Sequence, residues 1–218
     1  STICSGSAFT VSPTNTGSDL VPTGTTYTWT VTPNANVTGE TDQATPQSNV
    51  SQTLINTTNT AQTVTYNVTP KSGDAGACPG ASFTLTVTVN PTPVIADQTT
   101  TICSGSAFTV TPANAAPTTI VPTGTTYTWT VTPNINVTGE SDQATGQSNI
   151  SQTLTNTSNT VQTVVYTVTP KSGSCTGATF TVTVTVNPSP TINSLTLDPE
   201  TLCLNSTPKN FSISASNA

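Results

Sequence analysis

Glu40 and Asp42 stand one residue apart in the stretch VTGETD, and the same pair returns as Glu140 and Asp142 in VTGESD. Two carboxylates in a glycine-bearing turn could serve as the acid and base of a hydrolase, or as oxygen ligands for a hard cation such as calcium. Calcium takes about six to eight oxygen ligands, and this loop displays fewer. The acids are therefore read first as short polar residues that solvate a turn, with calcium as the weaker alternative. Catalysis is disfavoured more strongly. The chain has no histidine, and its only cationic side chains are Lys71, Lys171 and Lys209. The commonest general base and the arginine clamp for a developing anion are both missing. No enzymatic activity and no cofactor are expected.

The second reactive set is Cys4, Cys78, Cys103, Cys175 and Cys203. Their spacing follows an internal repeat and not a metal-ligand pattern such as CxxC, so they read as structural disulfides of an oxidising compartment outside the cytoplasm. Two pairings respect the repeat: Cys4–Cys78 with Cys103–Cys175 inside units, or Cys78–Cys103 with Cys175–Cys203 between them. If each unit is a sandwich whose opening strand starts at the pole of the loop carrying Cys78 or Cys175, the final strand carries the chain about 25 Å away from that loop. A disulfide spans at most about 7 Å between Cα atoms. Pairing inside units is therefore expected, each bridge closing a loop of about 75 residues and contributing about 4 kcal/mol by chain entropy. Cys203 is left unpaired in this segment.

Aromatic and hydroxyl groups have both a binding and a structural interpretation. Tyr27 and Trp29, repeated as Tyr127 and Trp129, could stack on a sugar if exposed. In the strand VPTGTTYTWTVTPN, which spans Val21–Asn34 and returns unchanged at Val121–Asn134, they alternate with threonine and share one face with Val31. That places them in a core. The Thr-x-Thr ladders resemble an ice-binding array, but a sandwich sheet twists too much for a wide flat surface, and alternation with inward Val and Phe is what any half-buried strand gives. Asn-x-Ser/Thr triplets at Asn36, Asn49, Asn56 and Asn67, and at Asn136, Asn149 and Asn156, read as surface strand and turn residues, with glycosylation as a minor alternative.

The elements that must position these groups come in two copies. TICSGSAFTV at Thr2–Val11 recurs at Thr101–Val110, and the closing Asn90-Pro91 recurs at Asn187-Pro188. Each copy reads as an opening strand near Ala8–Ser12, an extended piece near Leu20, the Trp strand in a central position, a polar connection through Gly39–Gln47, a strand around Asn49–Asn56, and a hairpin of Gln62–Thr69 with Ser82–Asn90. Val64, Tyr66 and Val68, then Phe83, Leu85, Val87 and Val89, point inward. About seven short strands per hundred residues, without helical periodicity, predict an all-β chain of tandem immunoglobulin-like sandwiches. The units are placed at 1–93 and 94–192. Residues 193–218, with TLCLN at Thr201–Asn205 and then Phe211, read as the opening strand of an incomplete third unit. Such a tail belongs to a longer polymer or adds as a strand to a neighbouring molecule.

Composition narrows the partners. The 218 residues carry a formal charge of −6, a pI near 4.1 and only 6% charged side chains. Nothing here neutralises a phosphate backbone or an anionic membrane, so nucleic acid and lipid headgroups are excluded as partners. No apolar run approaches the roughly 20 residues of a membrane helix, and no signal-peptide pattern opens the sequence, which reads as the interior of a longer exported chain.

The segments ICSG, YTWTV, VTGE, SQTLTNTSNTVQTVVYTVTPKSG and CTGATFTVTVTVNPSP of the second unit, with near copies in the first, resemble the PKD-like repeats of very large Bacteroidetes cell-surface proteins. These include gliding-motility and other adhesins exported by the type IX route. The resemblance implies all-β sandwiches strung in tandem as a stalk or filament outside the cell. The proline-rich joints NPTPV and NPSPTI keep the linkers short and stiff, which predicts a semi-rigid rod. The function expected is that of a structural repeat of an extracellular, surface-displayed adhesin, stalk or filament serving attachment or motility. Its partners would be further repeats of the same chain, laterally associated copies, and a surface, glycan or cell target. The alternatives are a carbohydrate- or ligand-binding module of a secreted protein and the shaft subunit of a multichain fibre.

Overall fold

The computed structural model describes residues 1–74 and 76–191, all of them in strands, turns and loops and none in helices. The third-unit strand expected at 193–218, and Cys203 within it, lie outside the described residues. In unit 1 the strands are β1 (Thr2–Cys4), β2 (Ala8–Val11), β3 (Thr26–Thr32), β4 (Val37–Thr38), β5 (Gln43–Gln47), β6 (Val50–Thr53), β7 (Ile55–Asn56), β8 (Gln62–Lys71) and β9 (Phe83–Asn90). Unit 2 repeats them as β10 (Gln98–Cys103), β11 (Ser106–Val110), β12 (Thr126–Thr132), β13 (Val137–Thr138), β14 (Gln143–Gln147), β15 (Ile150–Asn156), β16 (Gln162–Ser172), β17 (Cys175–Thr176) and β18 (Phe180–Asn187).

Each unit is two layers. The larger sheet has the order β1-β9-β8-β3-β5 in unit 1 and β10-β18-β16-β12-β14 in unit 2. The smaller layer is β2-β6 with β4-β7 in unit 1, and β11-β15-β13 in unit 2. Between the layers Phe9, Val37, Val50 and Leu54 meet Tyr27, Trp29, Val64, Tyr66, Val68, Val87 and Val89, all buried. Phe9 and Tyr66 pack with ring centroids 5.4 Å apart, and Phe108 and Tyr166 repeat the contact at 5.3 Å. Period-two alternation dictates this arrangement, because the threonines between the core residues face outward and pair across strands, as Thr28 does with Thr69 and Thr65 with Thr86.

Four differences from the sequence reading have physical causes. Nine strands, not about seven, form each unit, because a separate strand β1 precedes β2, Val37–Thr38 pairs as β4, and the polar connection after Gly39 pairs as β5 along the edge of β3. The Trp strand is consequently the second strand from an edge, and β8 occupies the centre. Leu20 is 82% exposed and belongs to no strand, whereas its counterpart Ile120 is 5% exposed and pairs with Val94 of the linker. The fourth difference concerns the cysteines. A separate opening strand, β1, precedes β2 and runs parallel to β9, with Cys4 beside Asn90. Cys4 thus lies where the final strand ends, while Cys78 hangs on the loop before that strand begins. The length of β9 puts them about 23 Å apart, far beyond a disulfide's reach. Cys103 beside Asn187 is separated from Cys175 in the same way. The pairings Cys4–Cys78 and Cys103–Cys175 do not form. Cys4 bonds to Cys175, and Cys78 and Cys103 are free.

Candidate functional site at the joint between the units

The bond joins the end of β1 in unit 1 to β17 in unit 2, with 5.5 Å between Cα atoms. Several contacts bring the two sulfurs together. At the unit 1 side the Ser5 N–H donates to the Asn90 carbonyl at 2.8 Å, and the Thr92 hydroxyl donates to the Ser5 carbonyl at 3.1 Å. Pro91 and Pro93 are buried and fix their own backbone angles. At the unit 2 side Val94 and Ile120 exchange two backbone bonds at 2.9 and 2.8 Å, and Ile95 enters the unit 2 core. The Asp97 carboxylate accepts the Thr181 N–H at 2.6 Å, and this hydrogen bond holds its pKa below the usual carboxylate range. The Pro93 carbonyl lies so close to Gly177 that a Cβ there would collide with it. The linker is thus bonded on both sides, through Thr92 to unit 1 and through Val94 to unit 2. Sequence reasoning placed the proline-rich joint at NPTPV but missed Asp97, Gly177 and Thr181, whose partners are distant in sequence.

The paired acids do different work from that expected of a hydrolytic or calcium site. Gly39 has φ +92°, and any Cβ there would strike the Thr53 carbonyl. This tight approach turns Glu40 inward, where one carboxylate oxygen accepts the Asn34 N–H at 2.5 Å and the other is buried without a partner. Asp42 instead accepts the Val31 N–H at 2.8 Å. Glu140 and Asp142 repeat both bonds on Asn134 and Val131 at 2.6 and 2.8 Å. Each acid thus completes the backbone around the end of the Trp strand, so the two are not turned toward one common ligand. No group of three or more His, Cys, Asp or Glu residues that could hold a metal occurs among the described residues. The Glu40 charge has one further effect. Burial first, and then that charge, push the Tyr66 phenol well above its usual range, and Tyr166 with Glu140 behaves alike.

Trp29 is 5% and Trp129 6% exposed, so neither forms an aromatic platform. The indole N–H groups donate to the Thr41 and Ser141 carbonyls, each at 3.1 Å. Beside each indole lies a shallow polar concavity. Gln43, Gln47, Asn49, Ser51 and Gln52 line about 320 Å³ with Trp29, and their counterparts line about 290 Å³ with Trp129. Gln52 is already saturated, donating to the Thr41 carbonyl and hydroxyl and accepting from the Thr41 N–H and the Tyr66 hydroxyl. Two of the Asn-x-Ser/Thr triplets also depart from the surface reading, since Asn56 and Asn156 are 1% and 7% exposed. Asn56 donates to the Thr60 and Val89 carbonyls, and its own N–H is taken by the Ser5 hydroxyl. Asn56 thus links the turn after Cys4, through its backbone and the Ser5 hydroxyl, to the end of β9, through its side-chain amide.

Among solved structures, the chain is similar to Sidekick-1 immunoglobulin domains 1-5, with 11% identity over 87% of this chain and 36% of that one and a TM-score of 0.30. It is similar to protocadherin gamma B2 extracellular cadherin domains 1-5, with 10% identity over 74% and 32% and a TM-score of 0.31. It is also similar to the fibronectin(III)-like modules of Clostridium thermocellum CbhA, with 7% identity over 90% and 94% and a TM-score of 0.28. The chain spans about a third of the length of the first two of these. No curated protein matches the sequence. Residues 1–93 and 100–190 each match the PKD-like domain, and the chain, built of two such units in tandem, belongs to the PKD-like domain family.

Proposed function

We propose that these units are a structural stretch of an extracellular stalk, filament or adhesin, displayed at the cell surface and built to hold its length under load. The observation that carries this reading is the Cys4–Cys175 bond across the joint. A pull on the two ends of the chain passes through that bond, and the 171-residue separation it closes is withheld from extension. At about 3.5 Å per residue the withheld length is roughly 600 Å. A joint whose prolines are buried and whose linker is hydrogen-bonded on both sides resists bending, while the covalent bond resists stretching. Disulfides persist in oxidising compartments outside the cytoplasm, which agrees with surface display. Attachment or motility, further repeats as partners, lateral association into a fibre and export by the type IX route are the context in which such a rod would serve. Single-molecule stretching tests the reading. Oxidised chain is expected to withhold this length, and reduction or Cys4→Ser to release it. Equal extension before and after reduction would exclude the load-bearing role.

A second reading, a glycan- or ligand-binding module, is favoured by the recurrence of the Trp-flanked polar concavity at the same place in both units. Saccharide-array binding that is lost in Gln43→Ala and Gln143→Ala, with stability unchanged, would support it.

A further inference from the structure

Among the described residues, two cysteines that the joint leaves unused, Cys78 and Cys103, stand at the outer poles of the pair of units, and each occupies the same backbone position as a bonded one. Cys103 pairs with Asn187 as Cys4 pairs with Asn90. The following turn is the same bond for bond, with the Ser104 N–H donating to Asn187 and the Gly105 N–H to Leu154, as Ser5 and Gly6 donate to Asn90 and Leu54, all at 2.8 Å. The chain even leaves unit 2 by the same route, since the Ser189 hydroxyl donates to the Ser104 carbonyl at 3.4 Å where Thr92 donates to Ser5.

At the opposite pole, Cys78 matches Cys175. Lys71 bridges Pro79 as Lys171 pairs with Thr176, and the Gly80 N–H donates to Pro70 as the Gly177 N–H donates to Pro170, both at 2.9 Å. Glycine occupies both positions, but only one is filled. Around Gly177 the Pro93 carbonyl takes up the space a Cβ would need, whereas the three atoms nearest to a Cβ on Gly80 all belong to Pro70 of its own unit. The two cysteines differ in burial accordingly, with Cys175 1% exposed and Cys78 open to solvent.

We propose that Cys103 and Cys78 are the two open halves of the same disulfide joint. Cys103 bonds to the loop cysteine of a further PKD-like unit that follows it in the chain, and Cys78 to the opening-strand cysteine of a unit that precedes it. Gly80 receives the linker carbonyl of that preceding unit. The bond forms by exchange with a disulfide oxidant. The thiolate of one cysteine attacks the oxidant's S–S bond, and one oxidant sulfur leaves as a thiol. The second cysteine's thiolate then attacks the resulting mixed disulfide at the protein sulfur, and the other oxidant thiol leaves. Two cysteine thiols are oxidised, one oxidant disulfide is reduced, and the two protons go to the departing sulfurs. Each unit of an array would thus be bonded forward through its opening strand and backward through its hairpin loop. The proposal rests on the load-bearing reading and names the partner it requires.

The test is a four-unit chain in which residues 1–187 are followed by 91–100 and then by 2–218, so that the linker enters in the register of the native joint. Cys203→Ser is made in the second half, with Cys78→Ser in the first half and Cys103→Ser in the second, and the chain is oxidised with glutathione disulfide. Peptide mapping without reduction is expected to find Cys4–Cys175 in each half, which reports that both halves have folded. It is also expected to find Cys103 of the first half joined to Cys78 of the second. Gly80→Ala in the second half is expected to lower the yield of that bond several-fold while sparing Cys4–Cys175. Free, alkylatable Cys103 and Cys78 beside intact Cys4–Cys175 bonds would overturn the proposal and leave the load-bearing reading standing. Absence of the Cys4–Cys175 bonds would overturn both.

Discussion

Cys4 sits 5.5 Å from Cys175, Cα to Cα, across 171 residues of sequence and the junction of two separately cored units. Closing a loop of this size contributes about 5 kcal/mol by chain entropy. Reduction is therefore expected to lower the unfolding free energy obtained from denaturant titration, by no more than that amount. Cys4→Ser and Cys175→Ser should each reproduce the effect, and the double substitution should add nothing to either. Additive losses would mean that the two cysteines act separately.

Asn56 should cost more than any other amide in unit 1. Removing its side chain takes a donor from the Thr60 and Val89 carbonyls and the acceptor from the Thr58 N–H, while the Thr58 hydroxyl keeps the Thr60 carbonyl. Asn56→Ala is expected to destabilise by about 2–4 kcal/mol. Exposed Asn67→Ala should fall within about 0.5 kcal/mol of the unsubstituted chain. Urea unfolding of the two variants measures the contrast.

Tyrosine ionisation gives the chain an alkaline limit. Tyr27, Tyr66, Tyr127 and Tyr166 are all raised by burial, and Tyr66 and Tyr166 further by Glu40 and Glu140. A group whose folded pKa lies above its unfolded value gives stability that is fully present below the unfolded pKa, near 10, and is lost as pH climbs toward the folded value. Stability should therefore fall above about pH 10. Tyrosinate absorbance should rise together with loss of the β-sheet circular dichroism signal. Ionisation of all four phenols near pH 10 in a chain that stays folded would refute this.

Two left-handed glycines separate backbone conformation from crowding. Gly6, with φ +84°, has open space where a Cβ would go, so Gly6→Ala is expected to cost about 1 kcal/mol for conformation alone. Gly39 adds the clash with the Thr53 carbonyl, and Gly39→Ala should cost at least about twice as much. It should also loosen the inward seat of Glu40. Thermal unfolding of the two variants under identical conditions compares them.

Much of each sandwich was legible because it is written in period two. Tyr27 and Trp29, and the run from Phe180 to Val186 alternating with threonine, assign a face to every residue without reference to any other strand. The acids were legible only as a pair. Their separate destinations, the Asn34 and Val31 N–H groups, depend on Gly39 bringing the turn against Thr53. Asn56 was misread because its triplet looks like every other Asn-x-Thr in a threonine-rich chain, and its burial is imposed by the turn after Cys4.

The amino-acid sequence by itself determined the repeat, the all-β class, the facing of the strands and the place of the proline-rich joint, since each follows from backbone preference and alternation over a few residues. The tertiary structure alone decided which cysteines meet. A three-residue strand, Thr2–Cys4, pairs parallel with β9 and not antiparallel, which carries Cys4 to the pole where unit 1 ends. That direction depends on hydrogen bonds to residues more than 80 positions away, and it converts a bond expected inside each unit into the bond that holds two units together.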